Sequence, residues 1–305
     1  MNNKTYYADL HTHSYWSDGS CSPRGVARRA REHGLQYVSL VDVANIGGWQ
    51  EFKEACNEYG LKTDPAIEIQ SFYNGDTIEL LLFGEGILET SFKYFIDSAY
   101  HTSEIVGLLY LGYIRSQNIF VSKSVVDNFF KIPQKRTWSL YYINEFLRRA
   151  RDIPHEKINS LINNAKLRHI DRLDIYNEWL PRTENILHVA NKLNIVSCYA
   201  HPGVVAERRR KINGTTKKAE LQKILDESLI LQKIGLCAIE ARYPEHSLGE
   251  ERMFEKHAEA NNFLLIGGSG FHGDQDGGHK PWLILGSKGI TRKEYEAFLS
   301  YRRFC

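Results

Sequence analysis

The sequence predicts an α/β protein built around one large domain. Short apolar runs typical of strands alternate with amphipathic segments typical of helices, and this alternation indicates a largely parallel sheet, open or closed into a barrel. The chain has 305 residues, of which 42% are hydrophobic, and this is enough to bury a full core. No internal repeat interrupts the alternation, so a single α/β domain accounts for the pattern.

The elements follow one another in a regular order from the N-terminus. A first strand in TYYADLH precedes a helix in SPRGVARRAREHG. Ser22 is suited to the N-cap of this helix, Pro23 to its first position, and Gly34 to the residue just past its end. Further strands are predicted in LQYVSLVDV, PAIEIQS, DTIELLLFGEG, NIVSCYAHPG, GLCAIEARY and NFLLIGGSGFHG, the last two separated by the helical EERMFEKHAEANN.

The middle third of the chain departs from this alternation. Residues 99–191 show helical periodicity throughout, with few glycines, and we interpret them as a helical insertion between residues 1–98 and 192–305. Neither edge carries a stretch rich in Pro, Gly or Ser, so the insertion is expected to pack on the main domain rather than hang from a linker.

Charge and cysteine content limit the classes of partner. The formal net charge is +2, which favours neither a membrane surface nor a polyanion, and no apolar stretch is long enough to cross a bilayer. The basic run Arg208–Lys211 is interpreted as a solvated helix face, so no stable nucleic-acid partner is expected. The five cysteines form no CxxC pair, which argues against disulfides and thiolate zinc sites. A cytoplasmic location follows as the expectation.

The strongest chemical signal lies at the end of the first predicted strand. His11 and His13 are separated by one residue, so their imidazoles project from the same face of a strand and can reach one cation. Asp18 follows in a loop that can fold back over that strand end. The preceding Asp9 and the following glycine turn and capped helix make this pair more specific than an isolated His-x-His.

The segment that contains these residues, DLHTHSYWSDGSCSP, resembles the opening motif of the PHP (polymerase and histidinol phosphatase) superfamily. Four more segments resemble later motifs of that family in the family order: VSLVDVANIGGW, PAIEIQS, SCYAHPG and LLIGGSGFHGD. The resemblance implies a distorted (β/α)7 barrel with a helical insertion over its mouth and a metal cluster at the C-terminal ends of the strands.

The resemblance also implies which residues bind metal. Six family ligand positions keep a donor: His11, His13, Asp18, Glu68, His201 and His272. Three others hold Val43, Leu81 and Gly270, which have no lone pair to donate. Because His11, His13 and Glu68 are the trio with three donors left, they are expected to hold one divalent ion of Mn, Fe or Zn, and the chain is expected to bind one or two ions rather than three.

Several neighbouring residues are candidates for supporting roles. Glu79, Asp42, Asp274 and His279 are spaced so that they could replace lost ligands. Arg242 is the candidate for neutralising a phosphate and assisting catalysis, and Tyr243 and His246 beside it are candidates for substrate binding.

Taken together, these residues predict a metal-dependent hydrolase, a phosphomonoesterase or phosphodiesterase, that acts on a small phosphorylated metabolite or nucleotide with a reduced metal site. Two alternatives stay open at this point. The chain could be a non-catalytic, regulatory ligand-binding protein, or a repurposed enzyme that catalyses a different metal-assisted reaction.

Overall fold

The computed structural model describes residues 6–131, 135–138, 140–164, 169–273 and 283–304. The strands are β1 (Ala8–Thr12), β2 (Tyr37–Leu40), β3 (Ala66–Tyr73), β4 (Asp76–Phe83), β5 (Val196–Tyr199), β6 (Ala238–Arg242) and β7 (Leu264–Gly267). The helices are α1 (Pro23–Glu32), α2 (Trp49–Tyr59), α3 (Thr90–Ser116), α4 (Lys123–Phe130), α5 (Leu140–Ala150), α6 (His155–Asn164), α7 (His169–Trp179), α8 (Thr183–Lys192), α9 (Pro202–Asn213), α10 (Lys217–Gln232), α11 (Leu248–Ala260) and α12 (Arg292–Phe304), with a 3₁₀ turn at Glu85–Leu88.

The strands form two sheets rather than one closed barrel. β1 and β2 pair in parallel, and the other strands form a sheet in the order β3-β4-β5-β6-β7. β4 is antiparallel to both β3 and β5, whereas β5, β6 and β7 are parallel. The predicted α/β class is confirmed. The distorted (β/α)7 barrel is not, because among the described residues only isolated bridges, Thr12 to Phe271 and Val43 to Glu68, link the two sheets.

Local capping explains why α1 starts where the sequence predicts. The Ser22 side chain accepts a hydrogen bond from the backbone N–H of Gly25, and Pro23 occupies the first turn. Gly34 follows the helix with φ +76°, a conformation that costs glycine little. α1 therefore begins and ends at chemically specified residues, and it fixes the far side of the loop that carries Asp18.

Between β4 and β5, the described chain contains the helices α3 to α8, joined by turns and short irregular segments. It has an apolar cluster of its own that includes Tyr110, Ile114 and Ile143. It also contacts the loop after β1, since the Tyr142 hydroxyl donates to the carbonyl of Gly19 at 2.5 Å. These contacts agree with an insertion packed on the main domain, while the exact boundaries at 98 and 192 stay a prediction.

Apolar side chains hold the strands on both faces. One cluster, with Leu10, Leu81, Cys198 and Ile266, lies between the two sheets, and a larger cluster lies between β3, β4 and the surrounding helices. Cys56, Cys198 and Cys237 are buried free thiols. In the described part of the chain, no helix combines the length and apolar character needed to span a bilayer.

Candidate metal centre

The histidines and acids predicted from the sequence lie within strands or in the segments that follow them. His11 is in β1 and His13 directly follows it, Glu68 is in β3, and His201 follows β5. His272 follows the bridge that joins Phe271 to Thr12, which brings it beside the end of β1. All five side chains are buried. The fold therefore gathers residues that are far apart in sequence at one end of the sheets.

The carboxylate of Glu68 lies between three histidines. Its Oε2 is 3.8 Å from Nε2 of His11 and 3.6 Å from Nε2 of His13. Its Oε1 is 3.3 Å from Nε2 of His201. Because the two oxygens face different imidazoles, one carboxylate can serve two neighbouring ligand positions.

A second group forms around Asp18. Its Oδ1 is 3.7 Å from Nδ1 of His13, and its Oδ2 is 3.3 Å from Nε2 of His272. The rings of His13 and His272 stack with centroids 4.2 Å apart. Two sets have donors close enough to share an ion, namely His11 with Glu68 and His201, and His13 with Asp18 and His272. This grouping differs from the single trio of His11, His13 and Glu68 expected from the sequence, since each set contains one member of the His-x-His pair.

The donor chemistry and spacing fit a divalent ion. Two ligands that each lie about 2.1 Å from a tetrahedral ion are about 3.4 Å apart. The gaps of 3.3–3.8 Å around Glu68 and Asp18 are mostly too long for good hydrogen bonds and match this separation. Among the described residues, Nδ1 of His13 is buried and has no hydrogen-bond partner, and a bound ion would offset the free-energy cost of burying it unpaired. Imidazole and carboxylate donors suit Mn, Fe or Zn.

Glu240 on β6 orients two of the histidines, a role that the sequence did not reveal. Its Oε1 is 2.8 Å from Nδ1 of His11, which turns Nε2 of that ring toward Glu68. Its Oε2 accepts a 2.7 Å hydrogen bond from the backbone N–H of His201, whose φ of 27° is unusual for a residue with a side chain. The signal available in the sequence was an acid in the middle of the apolar run GLCAIEARY. Carboxylates behind metal-binding histidines commonly fix ring orientation.

The ionisation of the group follows from these contacts. Burial would lower the pKa of His11, but the Glu240 carboxylate raises it well above its usual value. Burial also lowers the pKa of His13, and the neighbouring His272 lowers it further, which keeps this imidazole neutral. Burial acts to raise the pKa of Glu68, yet the neighbouring imidazoles of His11 and His201 hold it well below its usual range. Metal binding needs neutral imidazoles and an ionised carboxylate, so His13 and Glu68 are already in the binding state, whereas an ion at His11 would displace the proton that Glu240 stabilises there.

Two buried aspartates hold the loops that carry the ligands. Asp42 accepts hydrogen bonds from the backbone and hydroxyl of Ser14 and from the hydroxyl of Ser17, at 2.6–2.7 Å. Asp9 accepts from the backbone of His11 at 3.2 Å and from that of Ser269 at 2.9 Å. Asp42 was a candidate replacement ligand, but these bonds give its carboxylate a structural role in placing the Asp18 loop.

Of the other candidate replacements, Glu79 reaches the centre. Its Oε2 is 3.2 Å from Nε2 of His201. Asp274 and His279 lie outside the described residues.

The three family ligand positions without a donor have different surroundings in the structure. Leu81 is fully buried in the apolar cluster between the sheets, and Val43 forms a backbone bridge with Glu68. Gly270 has φ +58°, and a Cβ added there would lie 2.6 Å from the hydroxyl of Tyr243. The Tyr243 ring also contacts the rings of His11 and His201, with centroids 5.5 and 5.2 Å apart. The Tyr243 side chain therefore fills the space beside Gly270.

The structure does not bring Arg242 to this group. Its guanidinium makes 2.7 Å hydrogen bonds with Glu255 of α11 and with both carboxylate oxygens of Glu294 of α12. The role in phosphate neutralisation predicted for Arg242 does not fit these contacts, because the β6 register shifts between Glu240 and Arg242 and turns the side chain toward the helices. His246 lies behind the site, where its Nε2 accepts from the backbone N–H of Gly203 at 3.1 Å.

Comparison with known proteins places this chain in a family. The PHP domain family matches residues 9–229, which is more than half of the chain. The protein therefore belongs to the PHP domain family, as the five motifs indicate.

Individual relatives are more distant. A 5'-3' exoribonuclease of Haemophilus influenzae is 34% identical over 73 residues, which are 24% of this chain and 27% of that protein. A presumed metal-dependent phosphoesterase from Bifidobacterium adolescentis has a similar structure, with a TM-score of 0.77, 20% identity, and 96% of each chain covered. An amidohydrolase from Chromobacterium violaceum, solved with sulfate and without metal, has a TM-score of 0.71 and 16% identity over 97% of this chain and 96% of that one. These two structures establish the likeness of fold.

Proposed function

We propose that this protein is a metal-dependent hydrolase that cleaves a phosphate ester bond in a small phosphorylated metabolite or a nucleotide. Its metal ligands would be His11, His13, Asp18, Glu68, His201 and His272. The proposal rests on family membership together with the geometry of these six side chains.

The observation that carries the proposal is the position of the Glu68 carboxylate. Its two oxygens face His11 and His13 on one side and His201 on the other, at 3.3–3.8 Å. A buried acid surrounded by three histidines is costly unless charge is balanced, and a divalent cation balances it. A purely structural site would be more stable with a complete set of short hydrogen bonds.

A divalent ion bound by these residues would supply Lewis-acid polarisation of a phosphoryl oxygen and of the attacking water. The side chains around the ion would fix the orientation of its ligands. Glu240 fixes the ring of His11 through a 2.8 Å contact, and Asp42 fixes the Ser14 and Ser17 turn ahead of Asp18. These contacts preorganise the centre, which is the chief contribution of a protein to phosphoryl transfer.

Tyr243 is the protein group best placed to donate to a substrate oxygen. Its hydroxyl faces Gly270 and has no hydrogen-bond partner among the residues that the structure describes. Burial raises the pKa of Tyr243 well above its usual value, and Glu240 raises it further, so the hydroxyl keeps its proton and can donate. This assignment gives Tyr243 the polar contact that Arg242 cannot make.

The test combines metal content with hydrolysis. Protein stripped with chelator is reloaded with Mn²⁺, and release of phosphate or nitrophenol is measured with p-nitrophenyl phosphate, bis-p-nitrophenyl phosphate, nucleotides and short oligonucleotides. The oligonucleotides are included because the H. influenzae relative is an exoribonuclease. The double variant His11→Ala, His13→Ala should lose metal uptake and hydrolysis together.

A matched control removes two histidines away from the centre. His33 ends α1 and His101 lies on α3, and both are exposed. The variant His33→Ala, His101→Ala should keep metal uptake and activity. If the parent protein binds no Mn²⁺, Fe²⁺ or Zn²⁺, the hydrolase proposal fails, and the ligand-binding alternative takes its place.

A further inference from the structure

If His11 serves the ion expected together with His13, the ligand position at Glu68 and His201 lacks a third donor. Glu68 Oε1 lies 3.3 Å from Nε2 of His201. In the resemblance to the PHP family, Leu81 stands at a ligand position where the family has a histidine. Leu81 faces the same side of the sheet as Glu68, its direct partner in the β3–β4 ladder, but its side chain is apolar and fully buried.

Glu79 supplies a donor at this place. It lies two residues before Leu81 on β4, so its side chain projects from the same face. Its Oε2 is 3.2 Å from Nε2 of His201, the same nitrogen that Glu68 approaches. Gln70 is the ladder partner of Glu79 and donates to its other oxygen, Oε1, at 3.5 Å. Glu79 thus has one oxygen held by Gln70 and the other directed at His201.

We propose that Glu79 is a metal ligand that replaces the missing histidine, so that Glu68, His201 and Glu79 hold a second divalent ion beside the one at His11 and His13. Glu68, whose Oε2 faces His11 and His13 and whose Oε1 faces His201, would be shared by the two ligand positions. This inference rests on the proposed function only in requiring that a divalent ion binds at Glu68.

The replacement has a consequence for metal choice. A carboxylate in place of an imidazole makes the second position richer in oxygen, with one nitrogen donor and two carboxylates. Oxygen-rich donor sets suit Mn²⁺ better than imidazole-rich sets, which suit Zn²⁺. The side chain of Glu79 is 28% exposed, compared with 5% for Glu68, so the second ion would lie on the solvent side of the first.

The experiment measures bound metal rather than activity. Stripped protein is titrated with Mn²⁺ by calorimetry, and the ions retained per chain are counted by atomic absorption. The parent protein should bind two ions. Glu79→Gln should keep one tight ion and bind the second about 10–100-fold more weakly, because neutral amide oxygen is a poorer donor than carboxylate. Electron paramagnetic resonance of the Mn²⁺-loaded parent should show a spin-coupled pair, and the variant should show a six-line mononuclear signal.

Two further variants complete the design. Glu85→Gln makes the same chemical change at an exposed residue just after β4 and should bind both ions as the parent does. Glu79→His restores an imidazole and should keep the second ion while shifting the preference from Mn²⁺ toward Zn²⁺ about tenfold. Urea unfolding of the stripped proteins checks that all variants are folded.

The outcomes separate the two proposals. If the parent binds an ion that His11→Ala, His13→Ala removes, but Glu79→Gln leaves stoichiometry and affinity unchanged, the role of Glu79 is refuted and the hydrolase proposal stands. If the parent binds no ion, both proposals fail. A parent that binds only one ion also refutes the second ligand position.

Discussion

The contact between Gly270 and Tyr243 can be tested by adding a single methyl group. Gly270 has φ +58°, and a Cβ there would lie 2.6 Å from both the hydroxyl and one ring carbon of Tyr243. Gly214, which ends α9, has φ +65° and no atom within 4 Å of an added Cβ. The two glycines share a backbone conformation and differ in surroundings, so Gly214→Ala is a matched control for Gly270→Ala.

The expected magnitudes follow from two separate costs. A left-handed conformation costs a residue with a side chain about 1–2 kcal/mol, and this applies to both variants. Overpacking against buried Tyr243 adds roughly 1–3 kcal/mol at Gly270 alone. The free energy of unfolding should therefore fall by about 1–2 kcal/mol in Gly214→Ala and by about 2–5 kcal/mol in Gly270→Ala.

The assay is urea unfolding of metal-free protein, followed by fluorescence and circular dichroism. In a Tyr243→Ala background the ring is absent, so Gly270→Ala should cost only as much as Gly214→Ala does. Equal losses for the two glycines in the parent background would refute the contact. The same reasoning predicts that Gly270→Asp, which introduces the family aspartate, raises metal content only when Tyr243 is also made smaller.

Three other predictions follow from the contacts around the centre. Glu240→Gln should weaken Mn²⁺ affinity about 10–100-fold in calorimetry while the protein stays folded, since the carboxylate orients His11 without being a ligand. Arg242→Leu should lower the free energy of unfolding by roughly 2–3 kcal/mol in urea but leave Mn²⁺ affinity unchanged, because it breaks the ion pair with Glu294 away from the centre. Burial raises the pKa of Asp42 from 3.8 to about 6, so ionisation of this carboxyl opposes folding. The contribution of Asp42 to the free energy of unfolding is therefore fully present below about pH 4 and is lost as the pH rises to about 6. Relative to Asp42→Asn, the metal-free parent should lose about 3 kcal/mol across that window in urea unfolding, and a constant difference would contradict the assignment.

Features that depend on neighbouring residues could be predicted from the sequence, whereas features that depend on contacts between distant strands could not. The ends of α1 were predictable, because Ser22, Pro23 and Gly34 specify them within a few residues. The gathering of His11, Glu68 and His201 was also predictable, because each motif fixes its own strand end and parallel strands present those ends together. Closure of the sheet was not predictable, since it depends on how the β1–β2 pair meets β3 and β7 through a few bridges.

Side-chain direction at strand ends was the least predictable feature. Arg242 was assigned to the centre on proximity in sequence to Glu240, but one irregularity in the β6 ladder reverses its direction. Residues two apart share a face only while the ladder is regular, and a bulge breaks that rule. Glu240 keeps the regular direction and contacts His11, whereas Arg242 turns to Glu255 and Glu294.

The same rule explains how the centre can lose a family ligand and still keep a donor there. β4 pairs regularly with β3, so Glu79 and Leu81 face the same side of the sheet. A donor at Glu79 therefore lies only two residues along the same face from the position of Leu81. The glutamate side chain is long enough to span this distance, since Oε2 of Glu79 lies 3.2 Å from Nε2 of His201. Leu81 packs in the apolar cluster between the sheets. Gly270 offers no such neighbour, because the positions around it are used by Tyr243 and by the turn that leads to His272. On this reasoning the donor lost at Leu81 is compensated by Glu79, and the donor lost at Gly270 is not compensated.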